Sequence, residues 1–126
     1  MNSQRIAKKQ GGVVLLEGLI AITIFAFGIL AIVGIQASTT RAAGDAKYRV
    51  DASFLVSQKI GEIWADRDNP QAHVKTDEPF TALPNGKYSV AISGTKPDLT
   101  VTVTVSWQAP GESRAHTHMS TTRING

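Results

Sequence analysis

Eighteen consecutive residues without a charged side chain, Gly18 to Ile35, constrain this chain more than any other part of its sequence. At about 1.5 Å rise per residue a helix of that length reaches roughly 27 Å, close to the thickness of a bilayer's hydrocarbon core. Immediately before the run stands one acid, in Gly11-Gly12-Val13-Val14-Leu15-Leu16-Glu17. A carboxylate at the lip of hydrocarbon costs a few kcal/mol, so Glu17 marks a functional position that needs a partner of opposite charge.

The preceding segment orients the span. Met1 to Gly12 carries Arg5, Lys8 and Lys9 and no acid, a bias that keeps this end in the cytoplasm and sends the remainder outward. A secretory signal also begins with basic residues, but its apolar core is shorter, about 7 to 15 residues, and ends at small residues where it is cleaved. Here the apolar stretch is longer, contains Glu17 near its start, and has bulky Ile35 where a small residue belongs if cleavage followed Ala37. The expected cut therefore lies on the other side of the run, at Gly12.

Together, the short basic leader, the Gly12/Val13 junction, Glu17 as the fifth residue after it and the uncharged helix through Ile35 resemble the type IV prepilins and the related pseudopilins of type II secretion. In that family a membrane-embedded aspartyl peptidase cuts after the glycine on the cytoplasmic face and methylates the new amino terminus. The resemblance thus implies cleavage between Gly12 and Val13, N-methylation of Val13, and a subunit-assembly role for Glu17. A cationic amine at Val13 of one subunit neutralises Glu17 of a neighbour, removing two desolvated charges at once. The first mature residue of the family is most often phenylalanine, and here it is valine.

Farther along, Ile24-Phe25-Ala26-Phe27-Gly28-Ile29-Leu30-Ala31-Ile32-Val33-Gly34-Ile35-Gln36 is most similar to the PilV type of minor pilin. That type often has proline about where Gly34 stands. Gly28 and Gly34 each lower helix propensity by about 1 kcal/mol relative to alanine, which lets the stretch bend or partly unwind; equally, membrane helices simply contain more glycine. Major pilins of the family commonly close a carboxy-terminal loop with a disulfide. This chain has no cysteine, which tilts the resemblance toward a minor pilin or pseudopilin.

The implied organisation is a leader over 1–12, a transmembrane stem over 13–36 and a periplasmic domain over 37–126. The chain would cross the bacterial inner membrane once with its amino terminus cytoplasmic and join the pilus. Its implied partners are other minor and major pilins, the prepilin peptidase and the inner-membrane assembly platform. The first reading is a non-enzymatic minor pilin that takes part in priming and assembling a type IV pilus. The second is a minor pseudopilin of a type II secretion system, and a third is an anchored periplasmic binding module using the segment from Gln71 to Asn85.

Charge bears on other partners. The chain has 13 Lys and Arg against 10 Asp and Glu, but the leader takes away three cations, leaving ten of each sign. A neutral mature protein offers no broad basic footprint for phosphates along a polynucleotide, so no nucleic-acid partner is expected.

About ninety residues follow the stem, enough for one small core. Between Ala37 and Asp66 there is no proline, and Ala46, Val50, Ala52, Val56, Ile60, Ile63 and Trp64 are read as one side of an amphipathic helix, with Lys47, Asp51, Lys59 and Glu62 on the other. Asp68-Asn69-Pro70 ends it, because the residue before proline leaves the helical region. Gln71 to Asn85, with Pro79 and Pro84, reads as a connecting loop. Strands are expected over Lys87–Ser93, Leu99–Trp107 and, weaker and polar, Ser113–Ile124, separated by Gly94–Asp98 and Ala109–Glu112. The fold class is therefore α+β and pilin-like: a long N-terminal helix, membrane stem plus amphipathic half, packed on a small three-stranded antiparallel sheet.

Little else suggests chemistry. His116 and His118 share one face of a strand and, with His73, raise the question of zinc, but no cysteine accompanies them and His73 lies in another segment. Asp66, Asp68, Asp77 and Glu78 lack the ligand spacing and turning glycine of a calcium loop. Serines occur without a His-Asp arrangement or a nucleophile elbow, so no catalytic residue, cofactor or metal is expected. Trp64 and Trp107 end the helix stripe and the strand's apolar face, and both are assigned to the core.

Overall fold

The computed structural model describes residues 3–125. Its elements in chain order are α1 (Ser3–Ala65), a short 3-10 helix (Pro70–His73), β1 (Lys75–Phe80), β2 (Gly86–Thr95), β3 (Asp98–Trp107) and β4 (His116–Asn125). The chain divides into two compact units between Ala42 and Ala43.

The first unit is helix alone. Gly28 and Gly34 lie in uninterrupted helix, so neither unwinds it. The hydroxyl of Thr23, within the uncharged run, donates to Leu19 O at 2.7 Å, and those of Thr39 and Thr40 donate to Ile35 O and Gln36 O at 2.9 and 3.0 Å. Such bonds to the preceding turn satisfy hydroxyls that hydrocarbon would leave bare.

The second unit packs the rest of α1 on a four-stranded antiparallel meander, β1-β2-β3-β4. The expected α+β class holds, but the sheet has four strands rather than three. The additional strand, β1, lies in the segment read as a loop. Its six residues, Lys-Thr-Asp-Glu-Pro-Phe, carry no alternating apolar face, and only Phe80 is even partly buried. β1 forms by pairing with β2 rather than by burial, and its register shifts between Lys75↔Val90 and Glu78↔Tyr88. Asp77 sits at φ 49° and its N–H donates to Ser89 Oγ at 3.0 Å. An edge position tolerates Pro79, whose missing N–H would interrupt a central ladder.

Within the sheet, β3 supplies the regular apolar face expected of it. Leu99, Val101, Val103, Val105 and Trp107 are buried while the Thr and Ser residues between them are half-buried. Pairing runs unbroken from Lys87↔Ser106 to Thr95↔Asp98 on one side and from Asp98↔Asn125 to Trp107↔His116 on the other. On the opposite face Thr102 and Thr121 hydroxyls meet across β3 and β4 at 3.1 Å. Val90, Ile124 and Leu83 complete the sheet side of the core.

The helix contributes Ala52, Leu55, Val56 and Ile63, with Tyr48 and Ile60 partly buried against them. This corrects the expected stripe. Val50 and Ala52 are two residues apart, about 200° around a helix, and cannot share a face. The sheet selects the face of Ala52, leaving Val50 67% exposed and Ala46 exposed. Trp64 follows Ile63 by about 100° and falls outside the contact, 41% exposed. Trp107 is buried at 4% exposure.

Lys59 Nζ lies 2.8 Å from Glu62 Oε2 and 5.3 Å above the Tyr88 ring. That bond holds the Glu62 carboxyl below its usual range, outweighing burial, with Gln58 donating to the second oxygen at 3.0 Å. The contribution is present above the ordinary carboxylate value and is lost as pH falls through the lower folded value.

Gly86 opens β2 where the chain turns tightly after β1. Its N–H donates to Leu83 O at 3.0 Å, and a Cβ there would stand 2.8 Å from Leu83 Cβ and against the Phe80 carbonyl oxygen. Both obstacles are held in place by buried Leu83 and by the β1–β2 pairing. Gly86→Ala is expected to destabilise the head by about 1–3 kcal/mol, the usual range for forced overpacking. Denaturant unfolding measures it; an unchanged midpoint would show that the turn relaxes freely.

Candidate functional site

The residues singled out for processing and assembly all lie in α1, so their local geometry is that of a helix. Gly12 and Val13 are adjacent, and Glu17 follows Val13 by one turn, about 6 Å along the axis. A Cβ at Gly12 would meet nothing within 4 Å apart from the helix itself. Val13 is 63% exposed, and Val14, Leu15, Leu16, Leu19 and Ile20 are similarly open. The exposure of large apolar side chains continues through Phe25, Phe27 and Leu30 to Ile35. Water does not accommodate a contiguous apolar surface of this size, which needs lipid or other helices around it.

α1 is long and apolar enough to cross a membrane, and its apolar stretch is not buried within the molecule. Glu17 is exposed on this surface and takes part in no ion pair among the described residues. No family model, curated protein or solved structure matched the chain.

In the head, the histidines are separated by their own partners. His73 Nε2 lies 3.0 Å from Asp66 Oδ2, and His116 Nε2 lies 2.6 Å from Glu112 Oε2. Among the described residues no three His, Cys, Asp or Glu side chains come together in a way that would hold a metal. The strand places His116 and His118 on one side, as the spacing requires, but His73 does not join them. Likewise Asp66 pairs with His73, and Asp77 is taken up by the irregular edge of β1.

What the sequence did not disclose is the setting of His116. Its ring stacks on buried Trp107 with centroids 5.6 Å apart and planes inclined by 23°. Gln108 Nε2 donates to the Glu112 backbone oxygen at 2.7 Å, tying down the loop that presents the carboxylate. The register of β3 with β4, which sets Trp107 opposite His116, brings the two rings together, and neither strand's own sequence shows it.

Proposed function

We propose that this chain is a non-enzymatic minor pilin, processed between Gly12 and Val13 and built into a type IV pilus through its apolar stem. The observation that carries the reading is Glu17: an exposed acid on an exposed apolar helix, one turn beyond a glycine junction, with no ion-pair partner among the described residues of its own chain. A carboxylate so placed is costly in a lone subunit and becomes favourable when a cation arrives from outside it. The freed amine of Val13 on a neighbouring subunit is such a cation, and an offset of about 6 Å along the axis between two parallel stems brings it level with Glu17. The head packs its helix on a sheet whose core, among the described residues, holds no buried polar side chain, which suits a structural subunit that acts through its surfaces.

Mass spectrometry of protein recovered from cells with an active prepilin peptidase tests the first step. The expected chain begins at Val13 and carries one added methyl group on its amine. Recovery with residues 1–12 still attached, or cleaved near Ala37, would overturn the reading. Exchanging Gly12 for a bulky residue is expected to leave the leader in place. Identification of co-purifying membrane subunits distinguishes a pilus from the type II secretion filament, whose pseudopilins would share this stem.

A further inference from the structure

At the end of the sheet where β3 passes into β4, a cleft of about 240 Å³ is bordered by Arg49 of α1, Trp107 of β3, and His116, Thr117 and His118 of β4. Among the described residues no carboxylate lines it. Arg49 forms no ion pair among the described residues, although Lys47 beside it approaches Asp51 at 4.0 Å. The head has no general excess of positive charge to explain this: from Ala43 onward nine Lys and Arg stand against nine Asp and Glu. Arg49 and the two imidazoles are gathered here by the fold, not by the head's overall charge.

His116 is also fixed in orientation. Glu112 accepts from Nε2, so that nitrogen keeps its proton, and Nδ1 becomes a second donor once the ring is protonated. The Trp107 stack holds the ring's plane. The charged groups around it are Arg49 from the helix, His118 from the same strand, and Glu112 and Arg114, which border an adjoining hollow with His116. Glu112 is the acid among them and is already engaged.

A guanidinium and two imidazoles, from helix and strand, thus border one volume, while Thr117 between the histidines turns its side chain to the other face of the sheet. A carboxylate has two coplanar oxygens, which a guanidinium alone can saturate. Donors converging from separate elements suit an anion with oxygens in more than one plane. We propose that this cleft binds a phosphate group, carried by a free phosphate ester or by a phospholipid head group.

The test uses the full chain in neutral detergent micelles at about pH 6. Inorganic phosphate is titrated at constant ionic strength while the histidine ring resonances are followed. Saturable shifts are expected at His116 and His118 but not at His73, which pairs with Asp66 elsewhere in the head. Arg49→Gln should weaken the binding at least tenfold, and Lys47→Gln, an exposed cation outside the cleft, should leave it unchanged. Absence of saturation, an equal response at His73, or equal losses in the two variants would overturn the site. Bilayer discs containing phosphatidylglycerol distinguish the sources. His116 and His118 shifted there without added phosphate, and insensitive to it afterwards, identify the head group; unshifted rings that still titrate with phosphate identify a free ester.

Discussion

Glu17→Ala is expected to leave the protein in the membrane but to exclude it from the assembled filament, lowering its amount in sheared filaments at least tenfold relative to the membrane pool. The substitution makes the stem more apolar, so insertion becomes easier by a few kcal/mol rather than harder. Failure to assemble therefore cannot be assigned to failure to insert. Glu17→Gln keeps the side chain's size and hydrogen-bonding capacity but removes its charge, and the same exclusion is expected of it. Quantitative blotting of the two fractions is the measurement. Filament content equal to that of the unaltered protein would remove the proposed contact with the Val13 amine, and would favour an anchored binding module over a filament subunit.

The stem was readable from composition alone because a long uncharged run permits few structures, and α1 spans it without a break. β3 was readable for a related reason: buried valines alternating with threonines have a period of two that no helix shares. β1 was not, since a polar edge strand containing Pro79 owes its conformation to its neighbour, and pairing leaves no mark on one strand's own sequence. The helix face was half readable. Ala52, Val56, Ile60 and Ile63 keep a consistent spacing, but Val50 and Trp64 are apolar too, and hydrophobicity alone does not say which of two neighbouring stripes the sheet will cover. The cleft at His116 was hidden for a third reason. Arg49 and the start of β4 are far apart in sequence and meet only because the helix crosses that end of the sheet.

The choice of helix face leads to the other large expected effect. Ile63 is 1% exposed, among β-sheet valines that are themselves fully buried. Ile63→Ala removes three carbons from a core with little freedom to collapse, at a cost of about 2–5 kcal/mol. For a head of this size each kcal/mol lowers the melting temperature by about 4–8 °C, so a fall of at least about 8 °C is expected. Far-ultraviolet circular dichroism would report chiefly the stem helix in micelles. The near-ultraviolet signal of Trp107, Tyr48 and Tyr88, all packed in or against the core, follows the head instead. Val50→Ala is the matched control, because it shortens an apolar side chain on the same helix that the sheet leaves open; its cost should stay within about 0.5 kcal/mol. Equal melting losses for Ile63→Ala and Val50→Ala would mean that the helix turns a different face to the sheet. With that face would go the position of Arg49 over the start of β4, so this pair of variants tests the geometry beneath the cleft as well as the core.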